Sequence, residues 1–512
     1  MNGKTITRNS FWYGVETFAN LFLTIFTSIV IARSIGPEKL GYFRYLVWIA
    51  GVAQTLGGLG IPAATRKYMS EYFGRDQIGI AKTVFYRTLW LQTLMAAAVS
   101  LAGLLAIWFL AERQYRVIGL FLIGGLFPSM VNSIAAGANT ALEDLRANVP
   151  ASLVSTCIFV AATFSSIYFG WGLLGIAVGI FTMRAAELVV RIIPLIKRFS
   201  QHSAEPLDRA MSKRMFLFSG QSLILLLLGL IVWDRSEMVF LRHFCADIRQ
   251  VAFYSVAFNM TERLLVFSQV FGTATGATMM VQYGRDSNRV RGLAETSARY
   301  LALISFPVHL GLAAIAVPLV WLTYGSKYSG AVPALVVAAC LGIPKAFFIP
   351  VQAMLSSWER QDLIIRWGLV SAALNLGLDF ALIPKYGAVG AAVANGATQT
   401  FLSFALWVAA ARLLEIRFPI LPILKTTMVS AVMAVAVYFT ISRFPALLGL
   451  PLAIVLGVAM YLALIRVTRV LNPADHERML NIKNHLPSGA RSLFEAGVNW
   501  LITFPASGSY VP

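Results

Sequence analysis

The amino-acid sequence predicts an all-α polytopic membrane protein, and three observations carry that prediction. Of its 512 residues 58% are hydrophobic and only 13% charged, a balance far from that of soluble domains. Apolar runs long enough to cross a hydrocarbon core of roughly 30 Å recur about fourteen times. The formal net charge of +19 is concentrated in the short connections between those runs, where positive-inside topology places it. A nucleic-acid partner would need a basic face on a soluble domain, and the chain offers none.

Taken in order, the apolar runs start near Phe11, Tyr42, Phe85, Val117, Pro150, Gly172, Met215, Val251, Arg299, Pro333, Ile364, Ala388, Ile420 and Leu447. The first follows Lys4 and Arg8 without a cleavage-like site, so it is expected to stay as the first helix. About 27 Lys and Arg fall in the N-terminus, the tail and the loops after even-numbered spans, against about 10 in the other loops, which predicts that both termini are cytoplasmic. The most basic connection, from Arg191 through Lys197, Arg198, Arg209, Lys213 and Arg214, reads as a linker between lobes. The expected organisation is an N-lobe over 1–199, a cytoplasmic linker over 200–214, a C-lobe over 215–412, two further spans over 413–470 and a cytoplasmic tail over 471–512. In the tail the apolar patch Val498 to Phe504 is too short to span and reads as interfacial.

The division into lobes rests on an internal echo. Ala32-Arg33-Ser34-Ile35-Gly36-Pro37-Glu38-Lys39-Leu40-Gly41-Tyr42-Phe43 is followed by Tyr72-Phe73-Gly74-Arg75-Asp76, and Val251-Ala252-Phe253-Tyr254 leads likewise to Gln282-Tyr283-Gly284-Arg285-Asp286. Leu142-Glu143-Asp144 is echoed by Trp358-Glu359-Arg360, and Gly172-Leu173-Leu174-Gly175 by Gly387-Ala388-Val389-Gly390. The offset stays between roughly 210 and 216 residues, as expected for a duplicated six-span unit. An even number of spans gives both copies the same orientation, so the lobes are parallel repeats with two extra C-terminal helices, and transporters of this kind hold substrate in a central cleft. Gly36-Pro37 is expected to end the first span in a short outer-face turn with Glu38 and Lys39 solvated. Pro62, Pro128, Pro307, Pro318, Pro344 and Pro350 lie within or at the ends of spans, where a bend is tolerated. Gly272-Thr273-Ala274-Thr275-Gly276 fits close helix packing.

An ionisable side chain in hydrocarbon costs at least about 2.5 kcal/mol, so each one should face protein, water or substrate. Arg87, Arg184, Arg263 and Lys345 are the candidate cleft cations, which would favour an anionic substrate such as a pyrophosphate. For each, reaching back to an interface is the plainer alternative. Glu16, Asp234, Glu237, Glu262 and Asp379 are the candidate ion-coupling carboxylates. Arg184 and Glu187, three apart, can pair with each other. Asp234 and Glu237 share a helical face with Arg235 about a hundred degrees around, and either hold a coupling cation or sit at the outer interface. Lys345 reads as an uncompensated cation. Glu16 either takes up a proton or reaches headgroup water. Cys157, Cys245 and Cys340 are scattered, without metal or disulfide spacing. No nucleophile set, P-loop or metal-spaced His cluster is present, and His309 reads as packed. Transport without nucleotide hydrolysis in this chain, no cofactor and no metal are the expectation, and the short outer loops argue against a membrane glycosyltransferase.

The Ala32–Phe43 stretch resembles the junction between the first two helices of the polysaccharide transporter (Wzx-like flippase) branch of the multidrug/oligosaccharidyl-lipid/polysaccharide exporter superfamily. The resemblance continues through Gly58-Leu59-Gly60, Arg66-Lys67-Tyr68 and Glu71-Tyr72, and through Asp234 with Val251-Ala252-Phe253-Tyr254-Ser255. It implies alternating-access flipping of an undecaprenyl-pyrophosphate-linked oligosaccharide across the cytoplasmic membrane, coupled to an ion gradient or membrane potential. The chain is expected to be monomeric and to work beside polymerase and chain-length proteins of a glycan assembly complex. Export of amphipathic cationic drugs by the same architecture is the rival expectation, and a lipid II-type flippase a further one.

Overall fold

The computed structural model describes residues 3–142, 148–283, 287–358, 360–414, 418–482 and 488–502, with most side chains placed except over 3–22 and 272–289. Among the described residues the secondary structure is wholly helical. The chain forms two compact units, Met1–Ala252 and Phe253–Pro512. The first contains α1 (Gly3–Gly58), α2 (Ile61–Gly74), α3 (Ile78–Leu110), α4 (Arg113–Gly124), α5 (Leu126–Ala141), α6 (Asn148–Tyr168), α7 (Gly172–Ser200), α8 (Arg209–Val232), α9 (Glu237–Phe244) and the start of α10 (Arg249–Tyr283). The second contains the rest of α10, then α11 (Ser287–Thr323), α12 (Ala331–Lys345), α13 (Phe348–Ser357), α14 (Gln361–Leu414), α15 (Ile420–Arg443), α16 (Ala446–Thr468), α17 (Pro473–Ile482) and α18 (Ser488–Leu501).

Ten helical stretches among the described residues are long and apolar enough to cross a membrane, and an eleventh forms if the bent pair 23–58 and 61–74 is one span. The chain is a polytopic membrane protein. Its surface bears this out, because large apolar side chains such as Phe109, Phe216, Phe404 and Leu447 are well exposed while Ala81, Ala135, Ala138 and Ala391 are fully buried. With lipid as solvent, apolar bulk gains nothing by facing inward, and small residues let helices approach closely.

The helix breaks fall where the backbone can turn. Gly36 interrupts α1 at φ 77°, with Pro37 opening the next segment. Glu38 and Lys39 there are exposed and Leu40 is buried, as the solvated turn requires. Tyr42 beyond the turn stacks on Tyr115 at 4.3 Å, and its hydroxyl donates to Glu112 at 3.0 Å. Hydrogen bonds from Gln114 and Tyr42 hold the Glu112 carboxyl below its ordinary range. Between α1 and α2 the chain bends by 49° at Gly60, φ 71°, with Pro62 in the first turn of α2. Within the second unit Gly387, φ 53°, breaks α14. Of the other prolines expected at bends, Pro128 and Pro344 lie near the breaks α4/α5 and α12/α13, with Pro350 just inside α13, whereas Pro307 and Pro318 sit inside the continuous α11.

Three expectations change. The apolar run from Met215 stops at Val232, so Asp234 and Arg235 lie in a break and Glu237 opens the separate α9; Asp234 and Glu237 do not share one transmembrane helix. Helix α7 continues to Ser200, which makes Arg191 a buried helical residue and not part of a polar linker. The tail is helical and docked: buried Asp475 accepts hydrogen bonds from Arg299 Nη2 at 2.5 Å and Tyr300 Oη at 2.9 Å. Val498 and Ile502 of the apolar patch are buried, while its last residues lie outside the described ones. Gly284-Arg285-Asp286, Glu143, Asp144 and Glu359 of the echo also lie outside the described residues, as do the side chains of Gly272–Gly276.

Gly60 is the break most sensitive to substitution, because a Cβ there meets the Ser219 carbonyl oxygen of α8 in addition to the positive φ. Gly60→Ala is expected to lower stability by more than the roughly 1–2 kcal/mol that left-handed backbone alone costs. Gly51→Ala, in open helical surroundings, is expected to be neutral or slightly stabilising. Thermal unfolding in detergent measures both.

Candidate functional site

Within the first unit a cavity of about 430 Å³ is lined by Gln54, Arg66, Gln92, Ser133 and Thr140 among small apolar residues, with Leu226 of α8 forming part of its wall. The bend at Gly60 turns α2 so that Arg66 reaches the cavity, and Gly137 of α5 lets the helices approach, since a Cβ there would lie 3.3 Å from the Pro62 carbonyl. Ser129 donates to Gln54 Oε1 at 2.9 Å. Gln92 is fully buried; its Nε2 reaches the Gly57 carbonyl at 3.5 Å, and its Oε1 has no hydrogen-bond partner among the described residues. No acidic residue is among the described lining. A guanidinium with amides and hydroxyls in apolar walls suits an anionic or polyhydroxylated ligand. Sequence reasoning did not select Gln54, Arg66 or Gln92 as site residues. The available signal was two amides inside apolar runs, since a buried amide without a partner is costly.

Within the second unit a polar cluster forms where α10, α11, α12 and α14 converge. Lys345 donates to Glu262 Oε1, with the two side chains 11% and 28% exposed. The ammonium also lies 5.5 Å from the Phe258 ring centroid. Thr261, Asn395 and Gln399 line the same small pocket of about 20 Å³, and Gln399 donates to Asn395 Oδ1 at 3.0 Å. Gly342 makes the cluster possible, because a Cβ would lie 2.9 Å from His309 Cδ2 and 3.0 Å from Thr261 Cγ2. His309 is buried. Its Nδ1 lies 2.8 Å from the Ser305 carbonyl, which can only accept, so Nδ1 carries a proton. Lys345 is therefore a paired cation, contrary to the uncompensated one expected from its apolar run.

On the other side of α12 an apolar groove of about 500 Å³ is lined by Phe306, Pro344, Phe347, Phe404 and Trp407 among others. Trp407 Nε1 donates to the Phe347 carbonyl at 2.9 Å, and its ring packs on Phe418 at 5.0 Å between centroids. Pro344 borders this groove and its neighbour Lys345 borders the polar pocket.

The remaining predicted residues are dispersed. Arg87 is exposed, and its Nη1 donates to Ser212 Oγ at 2.7 Å. Arg184 does not pair with Glu187. Its Nη1 is buried without a hydrogen-bond partner among the described residues, packed over Gly125 at the α4/α5 break. Glu187 instead bonds Arg191 Nη1 at 2.8 Å, and the same nitrogen donates to Asn132 Oδ1 of α5 at 2.8 Å. A Glu placed four residues before an Arg is the favoured pair direction on a helix, which explains the exchange of partners. Arg263 is half-buried. Asp234 lies 3.4 Å from Arg235 Nε and is 43% exposed. Glu237 and Asp379 are fully buried. The side chain of Glu16 lies outside the described residues.

The family described as "Polysaccharide biosynthesis protein" matches residues 6–279. The succinoglycan biosynthesis transport protein ExoT of Rhizobium meliloti (strain 1021) is 21% identical over 495 residues, 91% of this chain and 94% of its own length. The probable low-salt glycan biosynthesis flippase Agl15 of Haloferax volcanii is 27% identical over 161 residues, 30% of this chain and 32% of its own length. Among solved structures, the lipid II flippase MurJ in an inward closed conformation superposes with a TM-score of 0.73 at 15% identity, covering 89% of this chain and 98% of that one. An inward-facing multidrug resistance MATE transporter of the MOP superfamily gives 0.66 at 16% identity, covering 77% and 94%. At these identities the structures show a shared transporter fold.

Arg191 is a buried charge held by Glu187 and Asn132. Arg191→Met strips Asn132 and Glu187 of their partner and is expected to destabilise the first unit by about 3 kcal/mol, the low end for breaking a buried pair. Adding Glu187→Gln should recover part of the loss; unfolding midpoints of the single and double variants measure it.

Proposed function

The chain belongs to the polysaccharide biosynthesis protein family, and on that premise we propose that it is a flippase for an undecaprenyl-pyrophosphate-linked oligosaccharide. The cargo is a repeat unit of O-antigen, capsule or exopolysaccharide, moved across the cytoplasmic membrane by alternating access. The observation that carries this reading is the cavity of the first unit, where Arg66 meets Gln54 and Gln92 between apolar walls. Guanidinium binds phosphate oxygens in bidentate fashion, and amides serve sugar hydroxyls in either direction. A cationic drug would meet Arg66 as a like charge, which weighs against the antiporter alternative. The apolar groove of about 500 Å³ in the second unit adds a surface suited to a prenyl chain. A substrate that is half lipid and half sugar asks for both kinds of surface. The names of ExoT, a transport protein of succinoglycan biosynthesis, and of Agl15, a probable glycan flippase, support the same class.

The finer topology in this reading is fourteen spans. It counts α1 and α14 as two spans each, divided at Gly36 and Gly387, and adds α10. The lobes 1–199 and 215–412, the linker 200–214, the extra spans of 413–470 and the cytoplasmic placement of both termini belong to it. Two glycines support the duplication: Gly172 and Gly387, aligned by the sequence echo, adopt φ 56° and 53°. Three residues on, Gly175 approaches Ser166 and Gly390 approaches the Leu382 carbonyl, each the end of the preceding helical segment. In this reading Arg87, Arg184, Arg263 and Lys345 supply further cations to the anionic cargo. Asp379 and Glu237, both fully buried, are the foremost ion-coupling carboxylates, with Glu16, Asp234 and Glu262 beside them. Polymerase and chain-length proteins are the natural partners.

Transport of a labelled lipid-linked oligosaccharide into the opposite leaflet of reconstituted vesicles tests the proposal. Arg66→Ala is expected to cut the initial rate about tenfold or more, the loss of roughly one charge-assisted contact, with membrane content unchanged; Arg66→Lys should fall between. Equal delivery by empty vesicles, or a wild-type rate for Arg66→Ala, would overturn it.

A further inference from the structure

Lys345 and Glu262 form an ion pair whose two halves are held unequally. Lys345 is 11% exposed and its ammonium lies against the Phe258 ring. Glu262 is 28% exposed, and Lys345 is its one ionic partner among the described residues. The lysine would therefore keep its place if the carboxylate left, whereas the carboxylate stands on the more open side of the pair.

We propose that Glu262 is an internal stand-in for the anionic group of the cargo: it covers Lys345 while the transporter is empty and yields that position to a diphosphate. The inference rests on the flippase reading above and assigns the carboxylate a task in it. The pocket around the pair measures about 20 Å³, roughly the room of one water, so a diphosphate cannot enter beside Glu262. Entry requires the carboxylate to swing aside, and the described lining holds no charged residue besides it and Lys345.

The surroundings suit the exchange. Thr261, Asn395 and Gln399 line the pocket and offer a hydroxyl and amides that serve a carboxylate or a phosphate oxygen equally well. Tyr254, Phe258 and Leu341 line it as well, among small residues. Pro344, the residue before Lys345, borders the apolar groove on the other side of α12. The groove thus comes within one residue of Lys345 along α12. Replacing a monoanion by a diphosphate at the ammonium is favourable by charge, and the freed carboxylate lies where it is already partly exposed.

Binding to the purified full-length protein in nanodiscs tests this, with geranylgeranyl pyrophosphate as probe and geranylgeraniol as its uncharged control. Glu262→Gln, which removes the internal competitor, is expected to tighten pyrophosphate binding by at least about tenfold, and Lys345→Gln to weaken it by as much. The double variant should behave as Lys345→Gln, and geranylgeraniol should bind all four proteins alike. Glu262→Asp keeps the charge but draws it back from Lys345, and should tighten binding by less than Glu262→Gln; it serves if the neutral variant does not fold. Wild-type or weaker pyrophosphate binding by both Glu262 variants, with the wild type binding normally, overturns the stand-in alone. If the wild type itself binds the pyrophosphate no better than the alcohol, the lipid-pyrophosphate reading fails and the stand-in with it.

Discussion

Hydrocarbon offers no hydrogen bonds, so each backbone group and each charge must be satisfied within the protein or at its wet cavities. The fold follows from that constraint more than from any apolar attraction between helices. Long helices satisfy the backbone by themselves, and several breaks fall where Gly lets the chain turn, as at Gly36, Gly60 and Gly387. Each break then has a use. Gly60 redirects α2 so that Arg66 reaches the cavity, and the turn at Gly36 leads into Tyr42, which locks onto Glu112 and Tyr115. The same constraint lets Phe109, Phe216, Phe404 and Leu447 stand exposed while Ala81, Ala135, Ala138 and Ala391 are buried.

Much of this was legible in the chain itself. Apolar runs of spanning length, the Gly-Pro turn, and the paired glycines at 172 and 387 are local signals, because a spanning helix and a positive-φ turn depend on the residues that form them. The α8/α9 break was not legible: Trp233-Asp234-Arg235 continues a helical pattern in sequence, and no Gly or Pro marks the stop at Val232. Charge partners were the least legible. Arg184 and Glu187 are within pairing reach of each other on the helix, as Glu187 and Arg191 are, and Asn132, which also holds Arg191, lies on another helix. Lys345 looked alone because its partner Glu262 is 83 residues away. The cavity of Gln54 and Gln92 escaped for the same reason, since two amides far apart in sequence become a site only after α1 and α3 pack.

The two polar sites also show how access governs what a buried cation needs. Arg66 faces a cavity of about 430 Å³ with no acidic residue in its described lining, and a space of that size admits many waters at about 30 Å³ each. Water can solvate the guanidinium until a ligand replaces it. Lys345 borders only about 20 Å³, room for about one water, so its charge has to be balanced by the protein, and Glu262 does so.

A carboxylate beside an intramembrane cation is therefore required by stability before any function is considered, and its presence alone says nothing about transport. What separates the two roles is how the pair is held. Arg191 and Glu187 form a pair whose cation is 6% exposed and is shared with Asn132; displacing Glu187 would leave Arg191 still bonded to Asn132. Lys345 and Glu262 border a pocket that neutral hydrogen-bonding side chains complete and that an apolar groove flanks along α12. Moving Glu262 opens that pocket at the cation. The first arrangement closes the fold, and the second is the one in which the proposed exchange of Glu262 for a diphosphate could take place.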